Sequence, residues 1–326
     1  MRKPGLIFKE KIMKAILTKE YGNADVLKLA EIDKPIIGDG EVLIQVISTS
    51  VNPMEWKVRN GEMKMMTGKT PPEILGSDFS GIVSKIGSSI TGFKKGDEVY
   101  GMTDGLKGGA YAEYLKINED MFAIKPGNLS FDEAASLPMV AQTAYQALVH
   151  KAQVKKGDHI LINGCTGGVG SVAVQIAKAL GCTVTGVCST KNIEFAKSLG
   201  ADHIIDYKKD DLLENENSYD SIFDTIGNHS FAEFKKTLKA GGVCVTTSPT
   251  IPAMLFGSVL NLFRSKKAKI IMVASSKQDL DAIRTMFQNA QIKPQIAHTF
   301  PIEEIKDAHN LSEKGRVVGK IVLKIQ

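Results

Sequence analysis

The amino-acid sequence predicts an α/β protein in two parts, a small β-barrel-like domain and a doubly wound parallel sheet. Three observations carry the prediction. The first third is built of short alternating, β-branched runs separated by glycine turns. Beyond residue 158, short apolar runs alternate with helical segments, the pattern of a parallel sheet covered on both faces. Between the first such run and the first such helix stands a glycine cluster, Gly164-Cys165-Thr166-Gly167-Gly168-Val169-Gly170. The chain has 326 residues, room for two domains at roughly 100–200 residues each.

In chain order, residues 1–12 are basic with a short apolar run and read as an N-terminal extension, because the run is too short for a signal-peptide core. Strands are expected at 15–17, 26–32, 41–51, 81–87 and 97–101. Their spacing suits a closed barrel better than a layered α/β unit. The segment 131–151 is alanine-rich and expected to be helical, with Ser130 as cap and Glu133 three residues on, the signature of a capping box. After a strand at 160–162, the second part reads helix 168–180, strand 183–187, helix 193–199, strand 203–205, strand 220–224, helix 231–238, strand 242–246, strand 269–273 and helix 277–289. Residues 248–265, with Pro249 and Pro252 and weak periodicity, are expected to form a mobile loop or a short surface helix. The tail offers 298–300, a helix at 302–311 and a strand at 319–325 that can return to complete the first domain. The expected division is therefore an extension at 1–12, a first domain at 13–132 plus 292–326, and a nucleotide-binding domain at 133–291.

Composition narrows the function. Net charge is +5 with the basic residues scattered, which argues against a nucleic-acid groove. No run approaches the roughly 18–20 apolar residues that span a bilayer. The four cysteines (Cys165, Cys182, Cys188 and Cys244) form no C-x-x-C pair and read as isolated buried thiols in a reducing compartment. Cytoplasmic residence is the expectation.

The glycine turn carries the chemistry. Strand, glycine turn and helix open a dinucleotide-binding unit, in which first-turn amides and the helix dipole face a pyrophosphate. The spacing is Gly164-x-x-Gly167-x-x-Gly170 with Gly168 added, rather than G-x-G-x-x-G. A fold that prefers NAD places a carboxylate about 20 residues beyond the turn. Here that stretch is Val187-Cys188-Ser189-Thr190-Lys191-Asn192, without an acid. Ser189 can hydrogen-bond a 2′-phosphate and Lys191 can neutralise it, so the expected cofactor is NADPH. Thr246 and Ser248 close a later strand, at the end where ligands gather in such sheets.

Two other chemistries lose support. Residues 13–137 contain neither cysteine nor histidine, so a catalytic zinc of the usual Cys and His ligands is not expected there. Gly76-Ser77-Asp78-Phe79-Ser80-Gly81 is not a G-x-S-x-G elbow, and no histidine stands nearby in sequence.

Several motifs, taken together, are specific to one family. They are residues 51–57 (Val-Asn-Pro-Met-Glu-Trp-Lys), 75–83 (Leu-Gly-Ser-Asp-Phe-Ser-Gly-Ile-Val), 96–101 (Gly-Asp-Glu-Val-Tyr-Gly), 109–114 (Gly-Ala-Tyr-Ala-Glu-Tyr), the glycine turn, and 315–320 (Gly-Arg-Val-Val-Gly-Lys). From residue 13 to the C-terminus the chain resembles the medium-chain dehydrogenase/reductase superfamily, in its zinc-free quinone oxidoreductase branch related to zeta-crystallin. The resemblance implies a GroES-like catalytic domain, an NADPH-binding Rossmann domain and a cleft between them. It implies that Asn52 lies near the nicotinamide and that Thr143 faces the cofactor. It places Lys191 and Tyr207 near the 2′-phosphate, and brings Arg316 or Lys320 toward the cofactor from the tail.

The expected activity is zinc-independent hydride transfer from NADPH to a quinone or other conjugated carbonyl. The developing charge would be met by backbone amides, the Thr143 hydroxyl, the Asn52 amide or water, with no general acid evident. The alternatives are an NADPH-dependent alkenal/enone double-bond reductase and a non-catalytic NADPH-binding protein of crystallin-like or RNA-binding type. A homodimer is expected from the resemblance, with the strand near 269–273 free to pair with its copy.

Overall fold

The computed structural model describes residues 11–248 and 265–326. The N-terminal extension, apart from its last two residues, and the loop expected at 248–265, apart from its ends, lie outside the described residues. The described chain forms two compact units. One contains the chain through Met139, with Ala274–Thr285 and Ile296–Gln326; the other holds Val140–Val273 and Met286–Gln295.

The first unit is built on β3 (Glu41–Val51), an 11-residue strand with eight residues buried. It pairs antiparallel with β4 (Asp78–Ile86), β6 (Tyr114–Asn118) and β15 (Lys320–Lys324). The sheet continues from β4 through β5 (Glu98–Met102) to β7 (Phe122–Ile124), and from β15 to the parallel strand β14 (Ile296–Pro301). A hairpin of β1 (Ile12–Thr18) and β2 (Leu27–Asp33) stands beside it. Two cores fill the unit. One gathers Val42, Ile44, Phe79, Val99 and Phe122; the other gathers Ile16, Val58, Leu75, Tyr111, Ile321 and Leu323. Every one of these side chains is nearly or fully removed from water, the main source of folding free energy at ~25 cal/mol per Å² of apolar surface.

Antiparallel register decides what meets at the end of β3. Val51 lies opposite Ile321 and Thr49 opposite Phe79. The last residues of β3 therefore sit between the first of β4 and the first of β15. Helix α1 (Pro53–Arg59) leaves from that point, with Asn52 as N-cap and Pro53 at the first helical position, where a missing N–H costs nothing.

The chain passes to the second unit through a helical stretch, but not as one helix across 131–151. It runs as α2 (Phe131–Ala135), α3 (Pro138–Tyr145) and a wider π-type segment over Gln146–Ala152. Pro138 is the reason: it can begin a helix but cannot donate within one. Ser130 and Glu133 form the expected capping box at the start of α2.

The second unit is a parallel sheet of β8 (His159–Asn163), β9 (Thr183–Cys188), β10 (His203–Asp206), β11 (Tyr219–Asp224), β12 (Leu238–Thr246) and β13 (Lys267–Ile270). The order is β10-β9-β8-β11-β12-β13, so consecutive connections reverse direction between β8 and β11. A ligand binds such a sheet at the carboxyl ends of the strands flanking that reversal. Between the strands run α4 (Gly168–Ala179), α5 (Ile193–Ser198) and α6 (Phe231–Thr237). The core gathers Leu161, Val187, Ile222, Phe234 and Leu238. The sixth strand starts two residues earlier than expected and ends at Ile270; its pairing with Val243–Thr246 fixes it there.

Candidate active site

In the second unit the turn after β8 is drawn tight by backbone alone. The amides of Gly164 and Cys165 both donate to the Val187 carbonyl, at 3.2 and 3.1 Å, and Gly167 N–H donates back to Gly164 O at 3.1 Å. Gly164 has φ +81°, left-handed backbone open to glycine at no steric cost, and a Cβ there would stand 2.6 Å from Thr225 Oγ1. A Cβ on Gly170 would overlap the Gly164 carbonyl oxygen. Gly167 differs: only the Gly164 carbonyl oxygen lies within 4 Å of its missing Cβ. Gly167, Gly168 and Val169 are partly exposed, and the first turn of α4 carries no acidic residue. Uncontested first-turn amides beside open space suit a pyrophosphate. Thr166 is buried beneath the turn and accepts from Asn192 Nδ2 at 3.3 Å, tying the turn to the segment after β9.

That segment holds the residues expected at the adenosine end. Ser189 is buried and precedes a single helical turn, Thr190–Asn192, while Lys191 is exposed. Tyr207 is 56 % exposed, and its backbone N–H donates to Cys188 O. Ser189, Lys191 and Tyr207 thus come from one edge of the sheet. The sequence reading missed Asp206, which β10 sets opposite Cys188. It was sought only on β9, and parallel pairing supplies it from β10. Its carboxylate accepts from Thr190 Oγ1 at 2.5 Å and from Lys208 N–H at 3.2 Å. The Thr190 hydroxyl, then the Lys208 amide and Lys209, hold its pKa below the usual carboxylate range.

At the reversal, register places Asn163, Asp224 and Thr246 side by side on β8, β11 and β12. Buried Asp224 accepts from Asn163 Nδ2 at 2.8 Å, from the amides of Ile226 and Gly227 at 3.1 Å, and from Thr246 Oγ1 at 3.2 Å. Ser248 N–H donates to Thr246 Oγ1. Asp224, absent from the expected set, fixes the rim on which Thr246 and Ser248 stand. Thr143, on α3, is buried.

All four cysteines are buried and unbridged. They are not all isolated, however: Cys165 in the turn and Cys188 share a hydrogen bond that raises the first thiol's pKa and lowers the second's.

In the first unit the convergence of β3, β4 and β15 brings Asn52 and Lys320 together. Lys320 is 5 % exposed, and its ammonium donates to Val51 O at 3.2 Å, to Asn52 Oδ1 and to Asp78 Oδ2 at 3.3 Å. Asn52 Nδ2 donates to Asp78 Oδ2 at 2.9 Å and to Glu55 Oε1 at 3.2 Å. Both amide hydrogens are therefore used, and the Asn52 side chain is not a spare donor for an acceptor oxygen. Asp78 also takes Ser50 Oγ at 2.6 Å and Met139 N–H at 2.7 Å. Glu55 reaches back to Asn52 N–H at 2.6 Å and accepts Ser77 N–H at 3.2 Å. Burial, and then the charge of Asp78, raise Glu55 to about 7 against the pull of Lys320 and of hydrogen bonds from Ser77 and Asn52. Two carboxyls face one ammonium, and a proton on Glu55 balances the charge. Arg316, in contrast, is exposed.

Next to this cluster, buried Arg59 donates to His309 Nδ1 at 3.1 Å and pairs with Glu313. Arginine can only donate, so His309 carries its proton on Nε2 and gives it to Tyr111 Oη, 3.1 Å away. Burial, and then Arg59, lower His309 to about 3. With both nitrogens committed, His309 is a structural residue. Among the described residues no group of three or more His, Cys, Asp or Glu side chains is placed to hold a metal ion.

Comparison with known proteins bears on both units. The family described as alcohol dehydrogenase GroES-like domain matches residues 38–127, and the family described as zinc-binding dehydrogenase matches residues 199–323. A 2-methylene-furan-3-one reductase of Solanum lycopersicum is 36% identical over 324 residues, covering 95% of this chain and 79% of that protein. An NADPH-dependent alkenal/one oxidoreductase of Arabidopsis thaliana, chloroplastic, is 34% identical over 326 residues, covering 96% and 80%. The solved quinone oxidoreductase of Coxiella burnetii superposes with a TM-score of 0.87 at 34% identity, over 97% of this chain and 100% of that one. Zinc, named in one family description, does not fit the residues present: the first unit lacks cysteine altogether, and the nitrogens of buried His309 are already bonded.

Proposed function

The chain belongs to the medium-chain dehydrogenase/reductase superfamily, and from that premise we propose that it is an oxidoreductase moving a hydride from NADPH to a quinone or another conjugated carbonyl. Likeness to reductases of both acceptor classes supports the reading. The observation that carries it is the glycine turn, whose open face at Gly167 and acid-free first helical turn suit a dinucleotide pyrophosphate.

Gly164, Thr166, Gly167, Gly168, Val169 and Gly170 would hold the pyrophosphate, and Thr246 and Ser248 would line the nicotinamide side. Ser189, Lys191 and Tyr207 would receive the adenosine 2′-phosphate. Support for NADPH over NADH comes from the carboxylate-free end of β9 and from Lys191 beside it. Asp206 stands at that edge, but its oxygens already accept from Thr190 and Lys208. Bound there, the cofactor supplies the hydride. The protein's own part is to orient the acceptor, exclude water and meet the charge that develops on its oxygen. Thr143 is a candidate donor; Asn52 and Lys320 position the first unit's buried cluster; Arg316 is the tail residue left at the surface. A homodimer would use β13, an outer strand of the sheet among the described residues.

Purified protein with NADPH or NADH, followed at the nicotinamide absorbance band with a simple quinone and an alkenal, tests the reading. NADPH turnover exceeding NADH turnover is expected with at least one acceptor. Equal or better use of NADH removes the cofactor assignment, and the ratio of the two acceptors assigns the substrate class.

A further inference from the structure

The end of β9 carries no acid, yet a carboxylate stands beside it. Parallel register sets Asp206 on β10 opposite Cys188 on β9, one strand spacing of about 4.8 Å away. Ser189 and Thr190 follow Cys188 directly. In a sheet of this topology the adenosine ribose is met at the end of that strand, and a carboxylate there accepts from the ribose hydroxyls and repels a 2′-phosphate. Asp206 therefore has the charge, and nearly the place, to select against NADPH. What it lacks is freedom.

Both of its oxygens are bonded within the protein. The Thr190 hydroxyl donates to Oδ2 at 2.5 Å, and Lys208 N–H donates to Oδ1 at 3.2 Å. The Lys209 ammonium lies 3.9 Å from Oδ2. The backbone of Asp206 is tied as well: its N–H donates to Asp210 Oδ2 at 3.0 Å, and its carbonyl accepts from the amides of Lys209 and Asp210, both at 2.8 Å. Asp206 is 4 % exposed, whereas Thr190, Tyr207, Lys208 and Lys209 are exposed. The carboxylate thus lies directly beneath the surface. The Lys208 amide belongs to the turn that Asp206 itself begins, and Lys209 is a solvated charge. The Thr190 hydroxyl is the contact that reaches across from the end of β9. Its own turn has a second anchor in Asn192, which bonds Ser189 O at 2.9 Å and Thr166 Oγ1 at 3.3 Å, so the turn does not depend on Thr190 alone.

We propose that Thr190 determines the choice of cofactor by holding the Asp206 carboxylate away from the 2′-phosphate. Thr190 is a positioning residue, acting through Asp206, and the proposal rests on the NADPH reading above. With the hydroxyl bonded, Oδ2 is occupied and Lys191 meets the phosphate without a competing acid. With the hydroxyl removed, the carboxylate is free to turn outward. It then repels the 2′-phosphate of NADPH and accepts from the 2′-hydroxyl of NADH, as the acid of an NAD-preferring sheet does. An acid-free end of β9 is therefore only half of the selection; the neighbouring acid must also be kept in place.

The test measures the affinities of NADPH and NADH separately, by nicotinamide fluorescence and calorimetry. It uses wild type, Thr190→Val, Thr190→Ser, Asp206→Asn and the double variant Thr190→Val with Asp206→Asn. Thr190 is exposed and both substitutions at the pair are near-isosteric, so the fold is kept. Thr190→Val should weaken NADPH about tenfold, the scale of one charge against a phosphate at a solvated surface, and leave NADH unchanged or tighter. Thr190→Ser keeps the hydroxyl and should match wild type. Asp206→Asn should bind NADPH at least as well as wild type, and the double variant should recover what Thr190→Val lost. Being a charge effect, the loss in Thr190→Val should shrink at about 0.5 M salt. A purely structural tie gives a different pattern: Thr190→Val and Asp206→Asn each weaken both cofactors, and the double variant is no better. That pattern, or a Thr190→Val that keeps the wild-type NADPH preference, overturns the proposal while leaving the NADPH reading intact. A wild type that binds NADH as tightly as NADPH overturns that reading, and this proposal with it.

Discussion

The glycine turn of the second unit and the buried cluster of the first do opposite things with polar groups. The turn is made from seven consecutive residues, and its working parts are backbone amides kept open to a ligand. The cluster draws Asn52, Glu55, Asp78 and Lys320 from two strands, a helix and that helix's N-cap, and nearly all its hydrogen-bonding capacity is spent inside the protein. A site that must receive anionic phosphates leaves its donors unpaired. A site that must hold geometry in low dielectric pairs every charge, because a lone buried charge is expensive.

The comparison breaks most visibly at Lys320. Lys320→Met removes the cation from between Asp78 and Glu55 and leaves buried charge without compensation, a loss of about 3–5 kcal/mol. Urea denaturation at pH 8 checks it, and the loss should shrink as pH falls and Glu55 takes up its proton. At the turn the corresponding change is Gly170→Ala. The new methyl meets the Gly164 carbonyl, and the strain of ~1–3 kcal/mol should weaken NADPH binding about 10- to 100-fold by calorimetry. Affinity for NADH should fall by the same factor, since the turn contacts what the two cofactors share.

The fold class was legible because period-two and period-3.6 patterns are local, and so was the turn, which is contiguous. Asn52 and Lys320 were both visible as motif residues, but not that they touch: that follows from β3 lying between β4 and β15, a register no short window contains. Asp206 was missed for the same reason, arriving at the end of β9 from the strand beside it. The break at Pro138 was written in the sequence and overridden by the alanine-rich pattern around it.

Titration sharpens the comparison further. Glu55 has a folded pKa of about 7, above its unfolded value near 4.5. Its contribution is complete below the unfolded value and lost as pH rises through about 7, so Glu55→Gln should become more stable relative to wild type over that window. His309 works at the other end. Its folded pKa, lowered to about 3, lies below its unfolded value of 6.5, so its contribution is complete above 6.5 and declines as pH falls toward 3. Thermal melts from pH 4 to 9 should show both flanks, and no residue of the glycine turn should shift either one. The smallest effect belongs to exposed Lys191: Lys191→Ala should weaken NADPH about fivefold, the modest worth of a screened surface charge, and leave NADH nearly unchanged.

Hydride transfer itself is tested most directly with NADPH deuterated at the transferable position and an α,β-unsaturated ketone, with the product examined by mass spectrometry. The account predicts one deuterium per product molecule, bound to the carbon far from the carbonyl, for each NADPH consumed. NADPH consumption without label in the product, or no consumption at all, would contradict it.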